Sequence, residues 1–486
     1  VRRVAAARAW SVAAVVAAGG VHGASGGEPA GEIRGRPSPR SHLDHSAYFE
    51  APFDAPQDVT RACLRCHPKA AREVMQTAHW QWLGAEVLVP GHEGPRRIGK
   101  KNLLNNFCIS AAGNEVTCTK CHAGYGWLDD SFDFAKVENV DCLVCHERTG
   151  AYVKGDGGIP TAESDLLAAA RSVGYPKREN CGVCHNYGGG GQGVKHGDLD
   201  SSLENPSPED DVHMGGFGML CIDCHRTERH RIPGRAFSVS VEGSGGVACT
   251  DCHVGPPHED ERLDAHLAAV ACQACHIPTY ARRLPTKTFW DWSRAGDPDR
   301  AEDPHRYLRI KGEFVYDQDV VPEYLWFDRS VERYLLGDRM DSTRVTELNR
   351  PRGGVDDPQA RIWPFKIHRA LQPFDRRNAV LLPPLTGGPG GYWATFDWNE
   401  ALARGAEETG VAYSGSYGFA RTAMYWPLSH MVAPKDEALA CMDCHGDPGR
   451  LDWAALGYEG DPLLFGGRRA AARVGAGAFP AAGAPR

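Results

Sequence analysis

Sixteen of the seventeen cysteines in this 486-residue chain fall into one repeated pattern, Cys-x-x-Cys-His. Along the chain it reads Cys63, Cys66 and His67; Cys118, Cys121 and His122; Cys142, Cys145 and His146; Cys181, Cys184 and His185; Cys221, Cys224 and His225; Cys249, Cys252 and His253; Cys272, Cys275 and His276; and Cys441, Cys444 and His445. Two thiols three residues apart can add across the two vinyl groups of one haem, and the histidine that follows can reach the iron as an axial ligand. Zinc sites and redox dithiols also use paired cysteines, but neither requires a histidine directly after the second one. The same regularity argues against pairing all sixteen as disulfides. The eight repeats therefore predict eight haem c groups, and only Cys108 is left over.

Fewer than about 60 residues per haem remain, so porphyrin takes interior volume that aliphatic side chains would otherwise fill. With 56 Gly and 33 Pro the chain is also rich in turns. Seven motifs crowd into the first part of the chain, and the eighth follows only after residues 277–440. This gap holds seven of the twelve tryptophans, Trp290, Trp292, Trp326, Trp363, Trp393, Trp398 and Trp426. Alternation in 310–316 and 320–327 around 317–319 predicts a β-hairpin there. The expected organisation is a signal peptide over 1–24, a seven-haem region over 25–285, a haem-free, aromatic-rich insertion over 286–426, an eighth-haem segment over 427–465 and a disordered Ala/Gly-rich tail over 466–486. The insertion reads either as a scaffold over the haems or as a substrate or partner surface.

Arg2, Arg3 and Arg8 precede a short apolar run and then small residues, the pattern of an export signal. No stretch reaches the roughly 20 apolar residues of a membrane-spanning helix. The expected location is periplasmic, with the signal cleaved and no span in the mature chain. The net charge of −8 leaves no basic excess for nucleic acid. Ionised propionates would lower it further, which favours a redox partner protein with a positive docking surface.

Each motif histidine supplies the fifth ligand of one iron, so other residues must supply the sixth. Candidates near motifs or on apolar stripes are His45, His79, His213, His230, His258, His266, His368 and His430. His42, His92, His196 and His305 sit in more polar or loop-like surroundings. His79 borders a stripe of Ala71, Val74, Met75, Ala78 and Trp82 that starts at Pro68 with helical spacing, and His266 lies on a second stripe with Leu263, Leu267 and Val270. Eight good histidines would close all eight irons. A Gly-rich segment after the fourth motif, Gly188 to Gly191 and then Gln192, Gly193, Val194, Lys195 and His196, offers a different outcome. Glycines let backbone approach a flat cofactor. Lysine is rare here, twelve of 54 basic residues, and a neutral amine can donate to iron as a guanidinium cannot. Two readings stand, Lys195 as a ligand and Lys195 as a surface lysine. The ligand reading takes His45, His79, His213, His230, His258, His266 and His430 as the seven partners and leaves His368 out.

Asn105, Asn106, Phe107, Cys108, Ile109 and Ser110 ahead of the second motif, Gly124, Tyr125, Gly126 and Trp127 after it, Val140 and Asp141 before Cys142, Asn180 before Cys181, and the Lys195 loop together resemble the octahaem tetrathionate reductase family. The similarity runs from about His45 to His445. It implies a mainly α fold with little β, a multihaem cytochrome c whose core is organised by eight covalently attached haems. It also implies that the haem at Cys118 and Cys121 is the active site, with Lys195 on its distal side and Cys108 near the pocket. Lys195 and Cys108 are then the catalytic residues, and the reaction is reduction of tetrathionate to thiosulfate. The alternatives are reduction of nitrite or hydroxylamine at the same haem, and a haem wire without substrate. On the first two readings the substrate is a small anion or nitrogen oxide.

Overall fold

The computed structural model describes residues 41–107, 110–234 and 246–468. The expected signal segment, Cys108 and the tail beyond residue 468 lie outside the described residues. In the amino-terminal part Glu86–Leu88 (β1) and Pro95–Arg97 (β2) form a small antiparallel ribbon. The regular framework comes later, as an eight-stranded sheet. Its strands are Thr286–Asp291 (β3), Tyr307–Leu308 (β4), Gly312–Asp317 (β5), Glu323–Phe327 (β6), Thr346–Glu347 (β7), Arg361–Asp375 (β8), Val380–Leu381 (β9) and Tyr417–Pro427 (β10). They run in the order β4-β5-β3-β8-β10-β7, with β6 and β9 also paired to β8.

β8 is the spine of this sheet. It is rich in residues that suit a pleated surface, Ile362, Trp363, Phe365 and Ile367 among them, and most of its 15 residues are buried. Along most of its length it pairs antiparallel with β10, from Asp375 opposite Tyr417 to Phe365 opposite Pro427. β3 joins β8 in parallel and β7 joins β10 in parallel, so the sheet is mixed. The helix Trp398–Thr409 is capped by Asp397, which accepts from the backbone of Asn399 and Glu400. Its Trp398, Ala401 and Leu402 pack on Trp290, Trp292 and Phe314 of the sheet region. Trp290 and Trp292 stack at 4.5 Å, and Tyr392 stacks on Trp398 at 4.0 Å.

This architecture corrects the expected mainly α fold. The described chain is 25% helical and 17% strand. A Cys-x-x-Cys-His motif needs only one helical turn to bring its two cysteines to one side, and helices such as Leu143–His146 and Cys221–Cys224 stop after four residues. The stripe beginning at Ala71 also breaks early, in the helix Ala70–Val74, where Thr77 donates both its amide and its hydroxyl to the Val74 carbonyl. The β-branched and aromatic residues of the later region form the sheet instead. The hairpin expected over 310–327 is absent, because β5 pairs with β3 and β4 while β6 pairs with β8. Val320 exchanges both backbone hydrogen bonds with Tyr280 just after the turn, which peels the second strand away from the first.

Asn349 continues the sheet edge where β7 ends. Fully buried, it accepts from the Tyr425 amide at 2.8 Å and donates to the Tyr425 carbonyl at 2.9 Å. Asn349→Ala leaves two buried backbone groups without partners and should cost about 2–4 kcal/mol. Chemical denaturation checks this, with Arg350→Ala on the exposed neighbouring ion pair expected to shift stability by less than about 1 kcal/mol.

Candidate functional site

The amino-terminal segments, the sheet edge and the last motif together surround one continuous cavity of about 3980 Å³. That is several times the roughly 300–1,000 Å³ of a pocket for one small ligand. All sixteen motif cysteines line it, and none is in a disulfide.

Seven of the eight motif histidines face another histidine across this cavity. Ring centroids are 6.4 Å apart for His67 and His45, 6.5 Å for His146 and His230, 6.4 Å for His185 and His79, and 6.3 Å for His225 and His430. For His253 and His213 the separation is 6.1 Å, for His276 and His258 6.2 Å, and for His445 and His266 6.2 Å. A metal bound by two imidazoles at ~2 Å per bond, with ~1.1 Å from each nitrogen to its ring centre, separates the centres by about 6 Å. The spacing therefore fits one iron between each pair. Among the described residues no group of three or more His, Cys, Asp or Glu converges on a point, as a structural zinc site would require. The donors fit haem c, with paired thiols for the vinyl groups and opposed imidazoles for the axial positions.

His196, assigned to loop-like surroundings, lies in this set too. Its ring centre is 6.3 Å from His185, so His185 has two histidines at matching distance. His368 takes a different place, fully buried in β8 with its Nδ1 beside Asn106 at 3.0 Å and away from the cavity. His92 pairs with Asp338, and His305 packs against Tyr316.

The second motif departs from the other seven. His122 turns away from the cavity into a box made by Trp80, Trp127, Phe132 and Phe134, with ring centres 4.8 to 6.1 Å away. Its Nε2, the nitrogen a motif histidine would give to iron, is 2.8 Å from the Trp80 carbonyl, and its Nδ1 has no partner. Burial pushes its pKa down to about 3, which keeps the ring neutral. Gly124 makes the box possible, since a Cβ there would lie 2.8 Å from the His122 ring. Lys154 fixes the turn by donating to the His122 and Gly124 carbonyls at 2.6 and 3.0 Å. It also pairs with buried Asp141 at 3.0 Å.

Lys195 lines the cavity beside Cys121 of this motif and Cys184 of the fourth. Its ammonium lies 5.4 Å from the centre of the Trp426 ring. Burial, then the charge of Lys100, pushes its pKa down to about 8. The Gly-rich loop is tightly constrained. Gly189 has a positive φ of 85°, and a Cβ on it would meet Phe107 at 2.6 Å. Lys366 from β8 clamps the loop from behind, donating to the Val194 and Lys195 carbonyls at 3.0 and 3.3 Å and to Thr286 Oγ1 at 2.7 Å. Thr286 in turn donates to the Gly193 carbonyl at 2.7 Å. Sequence reading missed Lys366, because a lysine inside a hydrophobic strand carries no local sign of the loop it holds.

The motifs also adjoin one another in a definite order. Cys63 neighbours Cys142, Cys121 neighbours Cys184, Cys181 neighbours Cys221 and Cys145, and Cys249 neighbours Cys272. Cys224 lies by Cys252, and Cys275 by Cys444. The fourth motif is thus a junction that touches the second, third and fifth. The first hangs from the third, and the sixth, seventh and eighth follow the fifth.

Lys366→Met removes the clamp and strands buried carbonyls, so it should lower stability by about 2–4 kcal/mol. Lys311, which reaches the Gly190 carbonyl of the same loop from its exposed side at 3.4 Å, provides the contrast. Lys311→Met should change stability by less than about 1 kcal/mol in the same denaturation experiment.

Comparison with known proteins agrees with this donor set. The family described as bacterial cytochrome c matches residues 287–448, the sheet and the eighth motif. A protein of Archaeoglobus fulgidus without an assigned function is 26% identical over 268 residues, 44% of this chain and 89% of its own. The crystal structure of an octahaem cytochrome c from Shewanella oneidensis is 46% identical, with a TM-score of 0.81 over 87% of this chain and 98% of that one. Haem c is therefore the cofactor for which the paired thiols and opposed imidazoles are built, and the role is electron transfer or redox catalysis. The chain belongs to the multihaem c-type cytochromes, the family of the Shewanella octahaem protein.

Proposed function

We propose that the protein is a periplasmic octahaem cytochrome c reductase, exported with its signal removed, that reduces tetrathionate to thiosulfate at the second-motif haem. The observation that carries this reading is the asymmetry of the sites. Seven motif histidines face a partner histidine, whereas at the second the motif histidine is turned away and Lys195 lines the cavity instead. At seven sites the two facing histidines would hold the iron, as suits electron transfer. At the second-motif site Lys195 would be the protein ligand, and the cavity it lines would admit a small molecule. On this reading Lys195 would hold this haem's iron in place of His122, whose Nε2 is taken up by the Trp80 carbonyl.

When bound, haem c supplies one-electron carriers along the series of motifs and an electron-donating iron at the second. Tetrathionate takes up two electrons, its central S–S bond breaks, and two thiosulfates leave. The charge on the reacting sulfur species doubles from −2 to −4 in that step, so cations stabilise the products more than the substrate. Lys100, Lys120 and Lys311 line the cavity with Lys195. Lys100, Lys120 and Lys195 all act electrostatically on Cys121, so these ammonium groups gather at the second motif. Three of the twelve lysines meeting here, in a chain of net charge −8, favour a small anionic substrate. The Lys366 clamp holds the Lys195 backbone so that the amine need not reorganise. Cys108, as a thiolate, would attack a polythionate sulfur and release one thiosulfate while the other stays bonded to its sulfur, and the two electrons would then break that S–S bond, releasing the second thiosulfate and restoring the thiolate. The redox partner is a protein with a positive docking surface.

Mass analysis of the denatured holoprotein should give eight covalent haems. Lys195→Met should keep all eight, convert one ferric haem to a high-spin spectrum and lower tetrathionate turnover at least about tenfold, or about 1.4 kcal/mol of barrier. An unchanged ferric spectrum would overturn the Lys195 reading. Cys108→Ser should lower tetrathionate turnover about tenfold while leaving hydroxylamine reduction near wild type. Turnover of nitrite or hydroxylamine alone would move the assignment to nitrogen substrates, and no turnover with any of the three would leave an electron wire.

A further inference from the structure

The paired histidines differ in what their outer ring nitrogens touch. Glu73 lies 2.9 Å from Nδ1 of His230, Asp198 3.1 Å from that of His430, Asp264 2.8 Å from that of His258 and Asp461 2.5 Å from that of His445. These histidines belong to the third, fifth, seventh and eighth sites. Other rings meet only backbone carbonyls, His45 with Leu43, His146 with Gly174, His225 with Pro233 and His266 with Arg262. At the fourth site neither His185 nor His79 nor His196 has a ring hydrogen-bond partner among the described residues, and the same holds for His253 and His213 at the sixth. A carboxylate on Nδ1 draws the ring proton toward itself and makes the other nitrogen a stronger donor, which favours ferric over ferrous iron. A cation nearby has the opposite effect. Lys195 acts electrostatically on both His185 and His196, and Lys366 on His196.

We propose that these carboxylates set the order in which the haems take up electrons. The third, fifth, seventh and eighth sites are held at low potential by Glu73, Asp198, Asp264 and Asp461, and the fourth, which lacks such a partner and adjoins the Lys195 pocket, fills before the sites that flank it. This rests on the reading that each histidine pair flanks an iron. The fourth site touches the second, third and fifth, and the third and fifth both carry a carboxylate. An electron that has reached the third or the fifth site therefore runs downhill to the junction next to the pocket. Each step is one electron reducing one ferric iron, with the electron supplied by an external one-electron reductant. The four carboxylates are positioning residues, since they act through the histidines.

The test is a redox titration of the holoprotein with dithionite as reductant, followed by the electron paramagnetic resonance signals of the ferric haems. Glu73→Gln and Asp264→Asn replace two partly exposed carboxylates, at different sites, with amides of the same shape. Each should raise one midpoint about tenfold in equilibrium constant, or about 59 mV for one electron, with haem content and bis-histidine spectra unchanged. Asp341→Asn, an exposed turn carboxylate bonded to Thr343, should shift none. In the wild-type protein the signal of the Lys195-ligated iron should change early in the titration, as its fourth-site neighbour becomes ferrous and loses its spin. Midpoints that stay put or fall in both variants overturn the proposal. So does loss of a bis-histidine spectrum in both, which would mean that the carboxylates only hold the rings in place. A wild-type protein without a distinct Lys195-ligated signal counts against the proposed active site, while the shifts in the variants still decide the role of the carboxylates.

Discussion

Two histidines facing each other about 6 Å apart is the interaction on which the rest of this structure depends. A motif fixes the place of its own histidine, and the second imidazole must arrive from elsewhere to face it. Several of these partners come from distant parts of the chain, as His430 does for His225 and His266 for His445. The requirement ties the amino-terminal segments, the sheet edge and the last motif around one cavity. It also explains why regular helices are so short. The haems, not long helices, give the interior its shape, and each motif contributes only the turn that carries its cysteines.

The sheet serves the exception. Strand β8 carries Lys366 into the interior, where burial pushes its pKa down to about 7 and its hydrogens go to the carbonyls of the Lys195 loop. A lysine without a carboxylate partner is an expensive thing to bury, and the loop that it holds is the one that brings Lys195 to the second motif. On the other side of that motif the Lys154 and Asp141 pair and Gly124 hold His122 inside its aromatic box. Two buried lysines on different segments thus fix the two halves of one departure from the common pattern, the histidine turned out and the lysine turned in.

Much of this was legible in the sequence, because covalent chemistry leaves a local signature. The cysteine pairs could be read directly, and the seven histidines chosen outside the motifs all lie opposite a motif histidine. Other features depend on tertiary contacts and left no such mark. The mixed sheet was hidden because alternation in 310–327 looks like a hairpin until Tyr280 takes the backbone of Val320. His122 was indistinguishable from the other motif histidines, since what turns it away is Gly124, Trp80 and Trp127 arranged in space. The loop placement of His196 missed its position 6.3 Å from His185, because a Gly-rich sequence suggests exposure even where it is packed against Phe107. The carboxylates on the histidines were equally silent, Glu73 and Asp198 meeting rings far away in the chain.

The central claim is that one site of this cytochrome exchanges its motif histidine for Lys195. Crystals of the holoprotein measured at the iron absorption edge test it directly, because anomalous peaks locate each iron without reference to the protein. The account predicts eight peaks, seven lying between opposed histidines and the eighth within bonding distance of Lys195 Nζ, with the His122 ring still in its aromatic box. An eighth iron bonded to His122, with the Lys195 amine beyond reach, would contradict it.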